Sequence, residues 1–159
     1  MSQQGNRKSL SSNSMVKIKE GRVIETIVRW SGDMEFTGIS GSGYQVLMDT
    51  IPKFGGKGKG PTPMQLVLIA LGGCTGMDVV SILKKMGVEI SGLEIKLRGE
   101  RKMEHPKAYK EIEIKYIFKG KDIAEEKVKK AITLSQEKYC SVSTMLAKGC
   151  EIKYSYEIV

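Results

Sequence analysis

The chain has 159 residues, with 26 Lys and Arg against 18 Asp and Glu, a net charge of +8, three cysteines and one histidine. That length suits one domain whose core needs no disulfide staples, and three unevenly spaced cysteines argue against a secreted disulfide framework. No charged-then-apolar leader opens the sequence, which predicts a cytoplasmic protein; the most apolar run, Met64 to Leu71, falls far short of the roughly 20 residues of a bilayer span, which predicts no membrane segment.

The basic excess permits a nucleic-acid partner. Lysines alternate with glutamates, however, as in Glu94-Ile95-Lys96 and Glu125-Glu126-Lys127, which is the pattern of a solvated mixed-charge face. No basic strand carries the interleaved aromatics used to stack single-stranded bases. The composition therefore argues against nucleic acid.

In chain order, residues 1–14 are polar, serine-rich and without apolar periodicity, and predict a disordered tail ahead of one domain over residues 15–159. Three extended segments follow, Arg22 to Trp30, Met34 to Ile39 and Tyr44 to Asp49, separated by Ser31-Gly32-Asp33 and Ser40-Gly41-Ser42-Gly43. Those separators tolerate positive φ and predict an antiparallel meander. Phe54 to Gly60 reads as a mobile loop; it lacks the Gly-Lys-Ser/Thr ending of a phosphate cradle.

Gln65 to Met86 predicts one helix of about 22 residues, roughly 33 Å long, with Pro63 before it and Gly87 after it. Leu66 to Leu71 cover its whole circumference, so its first half needs burial on all sides. A single small sheet covers one side only, which predicts a second subunit supplying the other wall.

Two alternating strands come next, one on Leu93, Ile95 and Leu97, the other on Ile112, Ile114, Tyr116 and Phe118. The only histidine, His105, falls in the turn between them, so a zinc hydrolase or a Cys-His protease has no base or ligand set. Asp122 and Glu125 form a capping-box pattern for a second helix running to about Lys138. Cys140 falls at the break after it. Ser141 to Ala147 begins a third helix, and Glu151 to Val159 alternates as a last strand. The whole predicts an α+β protein.

The chemistry concentrates on two cysteines, Cys74 in Leu71-Gly72-Gly73-Cys74-Thr75-Gly76-Met77-Asp78 and Cys140 in Tyr139-Cys140-Ser141-Val142-Ser143. Thiol redox chemistry needs one thiol to attack an oxidant and a second to reach the oxidised sulfur, so distant cysteines matter only where the fold joins them. The competing reading makes both of them small core residues. Cys74 lies about ten residues into its helix, beyond the reach of the helix dipole, and needs a nearby cation or donor to become a thiolate. Arg29, Lys57 and Lys59 are the candidate cations, and Asp78, one turn beyond Cys74, is a candidate orienting group. Cys140, at a helix start, is placed to favour a thiolate, and Cys150 reads as core.

The order of these parts resembles the OsmC/Ohr family of thiol peroxidases: Gly60-Pro61-Thr62-Pro63 opening an apolar cysteine helix, two strands, then Lys138-Tyr139-Cys140-Ser141-Val142-Ser143 before a terminal strand. The resemblance spans roughly Gly38 to Val159. It implies an OsmC-like fold, with antiparallel sheets wrapped around the cysteine helix in an intertwined homodimer. It further implies that Cys74 is the peroxidatic nucleophile and Cys140 the resolving thiol, acting on small organic hydroperoxides. A dithiol or lipoyl-bearing protein would serve as reductant, and no cofactor or metal is implied. Two departures stand out. The family's glutamate belongs in an Asn-Pro-Glu-Gln-Leu-type run, matched here by Thr62-Pro63-Met64-Gln65-Leu66, and its arginine is absent from Gly38 to Gly43. Those losses leave open a non-enzymatic binder of a small lipophilic ligand on the same fold.

Overall fold

The computed structural model describes residues 23–159. The expected tail over residues 1–14 lies outside the described residues, as does Arg22 of the first expected strand. The chain divides into two compact units, with the boundary between Pro63 and Met64.

In the N-terminal unit, β1 (Thr26–Gly32), β2 (Glu35–Ser40) and β3 (Gln45–Met48) form an antiparallel sheet in that order, the expected meander. Gly32 and Asp33 take positive φ at the first turn and Gly43 at the second, the conformation that the separators tolerate. The register pairs Val28 with Gly38, Trp30 with Phe36, Phe36 with Met48 and Gly38 with Val46, so these residues share one face. That face is apolar and open: Val28, Trp30, Phe36 and Val46 are all exposed large hydrophobics.

The expected mobile loop is instead tied to a buried carboxylate. Asp49 Oδ2 accepts from the backbone N–H groups of Lys57 (3.0 Å) and Lys59 (3.1 Å), and Oδ1 from Thr50 N–H (2.7 Å). These bonds, that from Lys59 foremost, hold the Asp49 carboxyl below its ordinary range. The loop amides are thus committed to an internal anion, which leaves them unavailable for a phosphate.

In the C-terminal unit, α1 (Pro63–Lys85) precedes β4 (Gly92–Arg101) and β5 (Tyr109–Lys119). Next come α2 (Glu125–Leu134), a π-helical turn (Ser135–Tyr139), α3 (Ser141–Leu146) and β6 (Glu151–Ile158). The sheet order is β4-β5-β6. β4 and β5 are antiparallel as expected, but β6 runs parallel to β5, so the sheet is mixed rather than antiparallel throughout. The cause is the long α2-to-α3 connection, which carries the chain back to the starting end of β5 before β6 begins.

Ile112, Ile114, Tyr116 and Phe118 of β5 are essentially inaccessible and form the core with Leu71, Val79 and Leu83 of α1 and Val128, Ala131 and Ile132 of α2. Each buried Val, Leu, Ile or Phe among them contributes about 1.5–3 kcal/mol relative to exposure. Glycines let helix and sheet approach: a Cβ at Gly72 would stand 2.8 Å from Leu97 Cδ1, and one at Gly76 2.9 Å from Ile95 Cδ1. The opposite sheet face carries ion pairs such as Lys115–Glu157 (2.7 Å) and Lys153–Glu111 (2.6 Å), the mixed-charge surface expected from the Lys/Glu alternation.

Two expectations for the helices are corrected. Asp122 adopts a left-handed φ of 52° and caps nothing; α2 starts at Glu125 behind Ala124, with Glu125 and Glu126 in its first turn against the helix dipole. One chain leaves α1 partly uncovered, as the expectation of a second wall requires: Ile69, Gly73, Met77 and Val80 form an exposed stripe on it. Finally, α1 is by length and composition apolar enough to cross a bilayer, with a window of mean hydropathy 2.0. A core helix passes the same test, and α1 packs Leu71, Val79 and Leu83 into the core of its own unit.

Candidate functional site

Cys74 and Asp78 are one turn apart on α1, and so on one side of the helix, flanking the face that Thr75 and Val79 bury against the sheet. Both are partly buried. Cys140 arrives from the other end of the unit. The π-helical turn closes with Cys140 N–H donating to Ser135 O (2.8 Å), and Cys140 then becomes the N-cap of α3, its Sγ accepting from Ser143 N–H (3.4 Å). A π-turn inserts an extra residue into a helical path, often at functional sites; here it aims Ser135, Gln136 and Cys140 inward together. The two sulfurs and an Asp78 carboxylate oxygen all lie within 4.8 Å of one another.

Behind this triad runs a chain of polar side chains in the core. Thr75 Oγ1 is 2.6 Å from Tyr116 OH and 2.8 Å from Ser135 Oγ. Ser135 Oγ donates to Asp78 Oδ2 at 3.1 Å. Gln136 Nε2 donates to Thr75 Oγ1 (3.0 Å) and Tyr116 OH (2.8 Å), while its Oε1 accepts from Ser143 Oγ (2.7 Å). Each hydroxyl owns one proton, and that fixes the direction. Ser135 spends its proton on Asp78, so Thr75 must donate to Ser135, and Tyr116 must donate to Thr75. Every dipole therefore points along one path, Ser143 to Gln136 to Tyr116 to Thr75 to Ser135, ending on the Asp78 carboxylate. Such aligned bonds reinforce one another in a low-dielectric interior, and no buried side-chain polar atom among the described residues lacks a partner.

Burial dominates the local acidities. Desolvation pushes the Cys140 thiol from 9.0 up to about 11; the Ser143 N–H opposes this, while Cys74 and Asp78 add to it. This corrects the expectation that a helix start would favour a Cys140 thiolate: α3 has only six residues and a correspondingly weak dipole, so burial wins. Burial likewise drives Tyr116 to about 12, which keeps it a hydroxyl donor.

Of the other sequence candidates, three belong to the N-terminal unit. Arg29 lies on β1, Lys57 pairs with Asp33 (2.8 Å) and Lys59 with Glu35 (2.7 Å), all within the N-terminal unit. The two lysines are thus engaged by carboxylates of their own unit rather than held free as cations. Asp33 raises the affinity of Lys57 for its proton, first through their hydrogen bond. Met64, at the place of the family's glutamate, packs against the core, and its carbonyl accepts from Tyr109 OH (2.7 Å). His105 is exposed. Cys150 donates to Leu146 O (3.3 Å) and packs against the core, as a filler does. Sequence reasoning missed Thr75, Tyr116, Ser135, Gln136 and Ser143.

An α+β frame that brings a helix-borne cysteine to a second cysteine at the head of a later helix defines a dithiol protein of OsmC-like architecture. Residues 56–155 match the family described as OsmC-like protein. The chain is 44% identical over 133 residues to protein YhfA of Escherichia coli strain K12, covering 83% of this chain and 96% of YhfA. A crystal structure of a hypothetical protein from Aquifex aeolicus VF5 is 37% identical with a TM-score of 0.77, over 87% of this chain and 98% of that one. The organic hydroperoxide resistance protein OhrB of Bacillus subtilis shares the fold at 18% identity and a TM-score of 0.60, over 86% and 98% of the two chains. The chain belongs to the OsmC/Ohr family.

Proposed function

We propose that the protein is a cytoplasmic thiol peroxidase that reduces organic hydroperoxides through Cys74 and Cys140. The observation that carries this reading is the approach of two free thiols and one carboxylate to within 4.8 Å. Cys74 sulfur attacks the O–O bond; the alcohol leaves, and Cys74 becomes a sulfenic acid. Asp78 takes the thiol proton and returns it to the departing alkoxide. Cys140 then attacks the Cys74 sulfenic acid: the S–S bond forms as the S–OH bond breaks, and the leaving hydroxide takes the Cys140 proton to give water. With its pKa pushed up to about 11, Cys140 is protonated at neutral pH and needs a proton acceptor, and Asp78 is the carboxylate in reach. Asp78, steadied by the Ser135 hydroxyl, thus supplies the proton-accepting carboxylate that the absent glutamate would have given. A dithiol or a lipoyl-bearing protein restores the thiols.

The exposed stripe Ile69, Gly73, Met77 and Val80 on α1, and the open apolar face of the N-terminal sheet, support a homodimer in which a partner covers them. Met77, three residues along α1 from Cys74, suits an alkyl substituent, removed from water at about 25 cal/mol per Å². The alternative, a non-enzymatic binder of a small lipophilic ligand, is favoured by an apolar recess of about 300 Å³ lined by Val28, Met34, Phe36 and Met48. Cumene hydroperoxide with dithiothreitol separates the two: wild type consumes the peroxide and Cys74→Ser does not. No consumption by wild type with both thiols reduced and accessible leaves the ligand-binding reading in its place.

A further inference from the structure

We infer that in the reduced protein Cys74, Asp78 and Cys140 form a three-ligand site for a thiophilic divalent cation, Zn²⁺ above all, whose occupancy excludes the disulfide. Two sulfurs and one carboxylate oxygen are a donor set that selects zinc-like ions over Mg²⁺ and Ca²⁺, which demand oxygen. The spacing fits. Tetrahedral zinc with bonds of about 2.3 Å to sulfur and about 2.0–2.2 Å to oxygen places its ligand atoms roughly 3.5–3.8 Å apart. The three atoms already stand within 4.8 Å of one another, so closing on an ion takes at most about an ångström of movement.

The surroundings are those of a supported metal site. Ser135 Oγ holds Asp78 Oδ2, Thr75 holds Ser135, and the Ser143 N–H points at Cys140 Sγ, so a carboxylate ligand and a sulfur ligand are both oriented from behind. Cys74 and Asp78 are partly exposed and give an ion its way in, while Cys140 is inaccessible and closes the back. Three protein ligands leave a fourth position for water or an exogenous ligand.

The metal binding stands on this geometry alone; its antagonism with turnover rests on the peroxidase reading. Zinc engages the lone pairs that Cys74 and Cys140 need for attack. Oxidation releases it: the two thiolates lose two electrons and form the S–S bond, the hydroperoxide O–O bond accepts those electrons with two protons to give alcohol and water, and Zn²⁺ departs.

The test is a Co²⁺ titration of the reduced, chelator-treated intact chain, followed by absorbance. The expected result is one cobalt per chain, with a thiolate-to-cobalt charge-transfer band that added Zn²⁺ bleaches. The band is lost in Cys74→Ser and Cys140→Ser, kept in Cys150→Ser and absent from oxidised protein. Ser135→Ala weakens binding roughly 10- to 100-fold, and Asp78→Asn weakens it at least as much. No band in reduced wild type whose three thiols titrate as free overturns the site, as does a band that persists in the Cys74→Ser/Cys140→Ser double variant. Unchanged affinity in Asp78→Asn overturns the carboxylate ligand. Cobalt binding without hydroperoxide consumption leaves the metal site standing and removes only the peroxidase reading.

Discussion

Replacing Thr75 by Val tests the direction of the buried hydrogen-bond chain. Valine keeps the shape but deletes the oxygen that accepts from Tyr116 and Gln136 and donates to Ser135. Gln136 retains Tyr116, and Ser135 retains Asp78, so their losses are partial. Tyr116 is different: its oxygen still accepts from Gln136, but its only proton has lost its acceptor in a site with no exposure. A buried unsatisfied donor costs about 1–3 kcal/mol. Tyr116→Phe removes that proton and its donor together, leaving Thr75 with Gln136 and Ser135, and its cost is the net value of an ordinary hydrogen bond, about 0.5–1.5 kcal/mol. Thr75→Val is therefore the more damaging change by about 1 kcal/mol, and the double variant is less destabilised than the sum, because a phenylalanine ring in place of Tyr116 has no hydroxyl proton to orphan. Urea unfolding of the reduced protein at pH 7, with slopes compared to confirm a common unfolding process, reads all four corners of the cycle. Equal single costs with an additive double would refute the assigned polarity.

Further outcomes follow from the same geometry. Cys140→Ser is expected to complete one turnover and stall at a sulfenic acid that a dimedone-type probe labels, whereas Cys74→Ser is never labelled; mass spectrometry reads the adduct. Asp78→Asn slows sulfenate formation and disulfide closure alike, seen by stopped-flow thiol loss, and an unchanged rate removes Asp78 from proton transfer. For the metal-free reduced protein, Cys140 is raised from 9.0 to about 11 and Tyr116 from 10.0 to about 12. The folded state therefore keeps protons that the unfolded state has released, and stability falls as pH rises through 9 to 12, by on the order of 2 kcal/mol per group. Urea midpoints that hold steady over that window contradict the burial argument. Light scattering at micromolar concentration should give a dimer mass; a monomer leaves the α1 stripe without its cover.

The alternation of β4, β5 and β6 is a period signal and the unbroken apolar run of α1 a length signal; they located the strands, the long helix and the buried residues of β5. The parallel β5–β6 pair was not legible, because alternation marks which face is buried and carries no strand direction. Asp122 matched a capping pattern that its left-handed backbone then cancelled. At the site, Cys74 and Asp78 could be read from their i, i+4 spacing, and Cys140 from its place after a helix. The polar chain behind them was partly readable: Val128, Ala131, Ile132 and Ser135 share one helical face, which places a serine where a buried residue belongs. Its partners were not, since Thr75 meets Ser135 across 60 residues and Tyr116 across 41, and only the fold supplies those contacts.

The proposed function requires Cys74 and Cys140 to act as one redox pair. The most direct test is to treat the reduced, intact protein with one equivalent of an organic hydroperoxide and map the cysteines by peptide mass spectrometry. The expected result is a single Cys74–Cys140 disulfide within one chain, one alcohol formed per disulfide, and Cys150 still open to alkylation. A Cys140–Cys150 bridge, or two thiols that survive the hydroperoxide unchanged, would contradict it.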